Sequence, residues 1–341
     1  MIIGAPLLGA CAGVQQTLSQ FSGSSGSPGA SGSPQEPLAV GNGQVKVGLI
    51  LPLSASGNAA VAAQSMKNAA EMALAEFQNP NIQLLIKDDA GSPQGAQQGT
   101  QQALEQRGVY LLSFLPESDV NRIVEYSASV GKKSFAALLP ENAYGNVVEA
   151  SFKQAVGRRG GRIIAFEKYG TDRATAARTV AQALGSADAL FIADDGESVV
   201  AVADALTAAG ANLKNIQLLG TGLWDNPRVY ANASLQGGLY AAPDSAGFRS
   251  FSSRYRAKFG TDPVRTATLA YDAVALVAAL ARTQGPQRLS ADVLTNPSGF
   301  AGIDGLFRFR PDGSNERGLA IMRAASGGGV AVAGSPKSFG A

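Results

Sequence analysis

The sequence predicts an α/β protein in which parallel sheets are covered by helices. Three observations carry the prediction. Strand-like runs alternate with helical periods from residue 45 to residue 280, the order that builds parallel sheets. Several runs are continuously apolar, as in Val47-Gly48-Leu49-Ile50-Leu51, which suits strands buried on both faces. The chain has 341 residues, 45% of them hydrophobic, enough for a sizeable core and for two domains.

Ahead of the fold, Leu8-Gly9-Ala10-Cys11 resembles a bacterial lipobox, whose cysteine is lipidated when the signal segment is removed. Residues 1–10 then read as the remnant of a signal peptide. They hold no Lys or Arg, so the start codon is expected further upstream. Residues 11–44, rich in Ser, Gly, Pro and Gln, read as a disordered tether. Its root-mean-square span is roughly 30 Å and its full stretch about 110 Å.

The folded part is expected to open with the strand 47–51, stopped by Pro52. A helix over 59–77 follows, because Ala62, Met66, Ala69, Ala73 and Phe77 recur at helical spacing. Strand 82–86 precedes a helix over 93–106, capped by Ser92 with Pro93 in the first turn. The pattern continues with strand 109–114, helix 118–130, strand 134–139, helix 144–156 and strand 162–166. Helix 172–184, strand 189–193, helix 197–209 and strands 216–219 and 239–241 come next. Two helices are then marked by Phe248, Phe251, Tyr255 and Phe259, and by Leu269, Ala273, Leu276 and Leu280. Residues 306–310 and 319–322, either side of Pro311-Asp312-Gly313, read as an antiparallel hairpin.

Composition excludes several chemistries. There is no histidine and one cysteine, so Ser-His-Asp and Cys-His catalysis have no base and histidine- or cysteine-held zinc has no ligands. No phosphate-binding glycine motif or nucleophile elbow occurs. Asp88-Asp89 and Asp194-Asp195 end strand-like runs, where neighbours point to opposite faces. They read as solvated carboxylates and not as acid/base dyads. Arg158-Arg159 before Gly160-Gly161 reads as a solvated helix C-terminus. A net charge of +2 gives no case for nucleic acid.

Several motifs occur in a telling order: Gly48-Leu49-Ile50-Leu51-Pro52-Leu53-Ser54, Asp88-Asp89, Asn142-Ala143-Tyr144-Gly145, and Gly302 and Gly305 before the Phe-Arg-Phe strand and the Asp312-Gly313 turn. Together they resemble type I periplasmic binding proteins of the leucine/isoleucine/valine-receptor kind. They resemble more closely the related penicillin-binding-protein activator lipoproteins. The likeness spans residues 45–332. It implies two lobes joined by three crossovers, with residues 45–116 plus 247–302 in lobe one and 117–246 plus 303–341 in lobe two. Ligands of open parallel sheets bind beyond strand C-termini, so the candidate contacts are Ser54, Ser56, Tyr144, Gly196, Thr221, Trp224 and Asp225. Ser54 and Ser56 could equally cap the helix that follows, Tyr144 could pack its ring on the sheet, and Trp224 could pack beneath its loop.

The chain departs from the family twice. A strand–helix–strand segment that carries the amino-acid clamp is missing between Arg107 and Gly108, which should leave apolar surface on lobe one uncovered. The carboxylate that pairs with a ligand ammonium falls on Gly222, and Asp225 is shifted by three residues. The reading is a non-enzymatic periplasmic lipoprotein, lipid-anchored to the inner leaflet of the outer membrane, that activates a penicillin-binding protein. The alternative is the substrate-binding lipoprotein of an ABC importer, partnered by a permease and taking branched-chain amino acids or another small polar solute. No cofactor or metal is expected.

Overall fold

The structure is a computed structural model that describes residues 2–3, 37–78, 80–92, 94–96, 110–283 and 285–339. Cys11, most of the proposed tether and the Arg107–Gly108 junction lie outside the described residues. The chain divides into two compact units. Unit one holds residues 1–113, 252–294 and 311–314, and unit two holds 114–251, 295–310 and 315–341.

Unit one is built on β3 (Val45–Leu51) and β4 (Ile82–Asp88), parallel and in register from Val45–Ile82 to Leu51–Asp88. The two remaining strands of its sheet are short. β1 (Ile2–Ile3) lies parallel to Gly48–Leu49, and β2 (Leu38–Val40) lies antiparallel to Leu84–Ile86. The segment 38–40 is thus sheet and not tether, because its apolar residues meet the open backbone edge of β4. Helix α1 (Asn58–Glu76) packs on a later helix of the same unit, α8 (Ala267–Thr283). Val47, Leu49 and Leu51 are at most 1% exposed, so β3 stays covered despite the short sheet.

Two further expectations for unit one change. Ser92 does cap, its hydroxyl accepting from Gly95 N at 3.0 Å, but the helix expected over 93–106 lies outside the described residues beyond Ala96. The strand expected over 109–114 is irregular from Tyr110 onward. Leu111 N donates to Gly313 O at 2.8 Å, a bond to the 311–313 turn and not a strand ladder.

Unit two contains a seven-stranded sheet. In chain order its strands are β5 (Ser134–Pro140), β6 (Arg162–Tyr169), β7 (Ala189–Ile192), β8 (Gln217–Gly220), β9 (Leu239–Ala242), β13 (Ala320–Ala325) and β14 (Gly328–Ala333). Their spatial order is β14-β13-β9-β8-β7-β5-β6, with the five from β9 to β6 parallel. Strand β5 shows why its sequence is continuously apolar. Phe135, Ala137 and Leu139 face α2 (Pro116–Ser129) and α3 (Ala143–Arg158), where Phe152 stacks on Phe191 at 4.7 Å. Ala136 and Leu138 face the cluster of α4 (Arg173–Ala183) and α5 (Gly196–Ala208). Both faces are therefore buried. Helix α6 (Pro227–Ala231) and helix α7 (Ser245–Phe259) follow, the unit boundary falling inside α7.

The tail pairs differently from the expectation. β11 (Gly305–Phe309) lies antiparallel between β10 (Phe300–Gly302) and β12 (Asn315–Arg317). Residues 320–322 of the expected run belong instead to β13, which pairs with β9 and β14. Turn chemistry at Pro311–Gly313 located the reversal, but the nearer partner 315–317 is too short and polar to read as a strand. The short helix α9 (Ala291–Leu294) precedes β10.

At the amino-terminal end of this sheet Asp188 ties two strands together. Its Oδ2 accepts from Lys133 N, Ser134 N and Ser134 Oγ, each at 2.9 Å. These bonds hold its carboxyl down to about 2. A depressed carboxyl adds stability that is full above its ordinary range near 4 and lost as pH falls towards 2. Asp188→Asn should cost about 1–2 kcal/mol at neutral pH, read by urea unfolding, with the gap to the parent closing in acid.

Candidate functional site

The carboxyl ends of β5, β7 and β8 gather the polar residues of unit two. Asn142 caps α3, its side chain accepting from Gly145 N at 2.9 Å. That cap sets Tyr144 in the first turn, and its hydroxyl meets Thr221 Oγ1 at 2.9 Å. Thr221 follows β8 directly and is fully buried. Burial raises the Tyr144 pKa, helped by the charges of Asp119 and Asp194.

Asp119 was not a candidate from sequence. It lies in the first turn of α2, where acidic residues commonly serve a helix N-terminus. Here its Oδ2 accepts from Gly222 N at 2.8 Å. A Cβ placed on Gly222 would come within 3.2 Å of the same oxygen. A carboxylate therefore lies beside Gly222, supplied from 103 residues away in the chain. Burial lifts its pKa to about 7, against the lowering bond from Gly222 and with a smaller push from Glu117. No salt bridge neutralises Asp119 among the described residues.

Asp194 is a buried acid, 9% exposed, and not the solvated carboxylate expected from sequence. Tyr169 donates to its Oδ2 at 2.7 Å and Asp195 N to its Oδ1 at 2.8 Å. Burial raises its pKa. Asp195 instead caps α5, accepting from the amides of Glu197 and Ser198. The pair divides its work as strand alternation requires, one inward and one outward.

Other candidates fall elsewhere. Trp224 is fully buried, and its Nε1 donates to Ile192 O at 3.0 Å, so it packs beneath the loop. Gly196 is buried against Asn226, whose side chain fills the space a Cβ would need. Asp225 is exposed and accepts from the Tyr230 hydroxyl. Ser54 and Ser56, in unit one, are exposed on the turn after β3. Neither caps α1, which starts at Gly57 with no side-chain cap. Ser54 N donates instead to Asp88 Oδ1 at 3.2 Å. Among the described residues no three metal-ligating side chains converge, and no helix is long and apolar enough to cross a membrane.

The carboxyl edge of this mainly parallel sheet, where ligands of open α/β sheets bind, thus gathers acids, hydroxyls and backbone donors. The chain belongs to the periplasmic binding protein family, whose model matches residues 44–118 and 107–329. The match falls in two pieces that overlap over residues 107–118, around the Arg107–Gly108 junction. No curated protein matches the chain. Among solved structures, a protein assigned to a branched-chain amino acid ABC transporter of Rhodospirillum rubrum has a TM-score of 0.69 at 18% identity, covering 84% of this chain and 99% of that one. A branched-chain amino acid ABC transporter periplasmic ligand-binding protein from Burkholderia xenovorans has a TM-score of 0.68 at 18% identity, covering 87% and 97%. An ABC transporter substrate-binding protein from Desulfitobacterium hafniense, in complex with Leu, has a TM-score of 0.62 at 15% identity, covering 84% and 99%. These likenesses establish a type I periplasmic binding protein fold of the leucine/isoleucine/valine-binding kind. Membership of the family implies an extracytoplasmic location.

Proposed function

We propose that this chain is the substrate-binding lipoprotein of an ABC importer, held to a membrane by lipid on Cys11, and that its solute carries an ammonium group. One observation carries the reading: the Asp119 carboxylate stands over Gly222 with no cationic partner among the described residues. A part-buried carboxyl raised to about 7 is stabilised in its charged form when an ammonium reaches it. Tyr144, Thr221 and Asp194 supply the polar surroundings that orient such a group. An amino acid, the branched-chain type included, has this chemistry. The solved structures reported above are transport receptors, which supports a permease as partner in place of a penicillin-binding protein.

The test is calorimetric titration with leucine, isoleucine and valine, with benzoate as a carboxylate that lacks the ammonium. One of the amino acids should bind and benzoate should not. Between pH 6 and pH 8 the ionised fraction of Asp119 rises about tenfold, and affinity should rise with it. Asp119→Asn should lower affinity about tenfold at pH 8 and flatten the pH dependence. The unliganded protein should behave oppositely. A raised carboxyl binds its proton more tightly when folded, so stability falls as pH climbs from about 4 to about 7. Benzoate binding undiminished by Asp119→Asn would overturn the assignment.

A further inference from the structure

The solute site of unit two carries more negative charge than one ammonium answers. Strands β7 and β8 run parallel with Phe191 beside Leu219. Carried on at the same offset, the register sets Asp194 beside Gly222, one strand spacing of about 4.8 Å away. The bond from Trp224 Nε1 to Ile192 O, 3.0 Å long, holds the two segments together past the strand ends. Gly222 is also the residue whose amide binds Asp119 Oδ2 at 2.8 Å. One glycine is thus flanked by two acids, one following β7 and one from α2. The Tyr144 hydroxyl, bonded to Thr221 at 2.9 Å, lies in the field of both.

Among the described residues neither acid has an ionic partner. Asp194, 9% exposed, is bonded to the Tyr169 hydroxyl and the Asp195 amide, both uncharged donors. Arg173 lies over the Tyr169 ring, 5.7 Å from its centre, and forms no ion pair with Asp194. Glu117 deepens the negative field. Its Oε2 is sealed in without a hydrogen-bond partner, so it acts on the site through its charge alone, which also raises Asp119. Two carboxylates beside one residue repel each other and both lose hydration, so one bound cation offsets half of the charge. Poor screening at the more deeply buried acid makes a second cation there the more effective. We propose that the solute of this site carries two cationic groups, as a basic amino acid or a diamine does, with Asp119 holding one and Asp194 the other. The inference rests on the solute site proposed above and narrows the class of its solute.

The probes are two matched pairs titrated calorimetrically into the full chain: L-lysine against L-norleucine, and 1,4-diaminobutane against butylamine. Within each pair the dication should bind about tenfold more tightly. Asp194→Asn should reduce that preference to about twofold or less. Asparagine keeps a carbonyl oxygen for the Tyr169 hydroxyl, and circular dichroism checks that the variant is folded. Norleucine binding as tightly as lysine overturns the inference in the parent protein, with no variant needed. A lysine preference kept in full by folded Asp194→Asn overturns it too. Norleucine binding that Asp119→Asn weakens, with no gain for lysine, leaves the ammonium site standing and removes only the second cation. No binding by any of the four amines removes both.

Discussion

Trp224→Ala is expected to remove about 3–5 kcal/mol of stability, the range for deleting a large buried aromatic. The ring is fully buried in the cluster formed by β7, β8, β9, α5 and α6. Two glycines make way for it. A Cβ on Gly220 would fall onto the ring, and one on Gly238 would lie 2.7 Å from Cζ3. These positions have no side chains to move into the vacated space, so the cavity stays open. The substitution also takes a donor from the Ile192 carbonyl. Urea unfolding followed by circular dichroism measures the loss. A cost below about 1 kcal/mol would mean that the loop collapses freely and that the ring is not a core element.

Gly145→Ala is expected to cost about 2–3 kcal/mol and to weaken solute binding several-fold. A helical Gly→Ala exchange ordinarily gains up to about 1 kcal/mol. Here the added methyl would fall on the Pro140 carbonyl oxygen, a backbone atom that cannot swing aside. The first turn of α3 must back away from β5, and two contacts go with it. The Asn142 cap on Gly145 N opens, and Tyr144 is drawn off Thr221. Gly157 gives an internal control in the same helix, since its Cβ would meet nothing within 4 Å. Gly157→Ala should therefore stabilise the helix that Gly145→Ala disrupts. Urea melts of the two variants, with titration of the solute, read the opposed signs.

The contrast between what the sequence revealed and what it hid follows the range of the interactions. Strand β5 and helix α3 were legible because local signals agreed: a run apolar on both faces, an Asn cap and a helical repeat. The β11–β12 pairing was not, because Asn315–Arg317 carries almost no strand signal and gains its place only from its partner. Irregular backbone at residues 110–114 has the same origin, since strand propensity is empty without a ladder to join. In the candidate site, Tyr144 and Thr221 were singled out from sequence because they follow apolar strands. Asp119 was missed because its partner Gly222 is far away in sequence and its helix-start position already had an ordinary explanation. Gly222 itself was the available clue: a glycine leaves room for a side chain from another element. Gly196 and Trp224 show the converse. Both sit at strand ends, yet one is small and the other large so that neighbouring segments can close on each other.

The chain has a single tryptophan, and it lies in unit two. Its emission therefore reports on one unit alone, whereas circular dichroism sums over the helices of both. Recorded together through a denaturant series, the two signals form a built-in test of cooperativity. Superimposed transitions mean that the units melt as one, and separated transitions give the order in which they come apart.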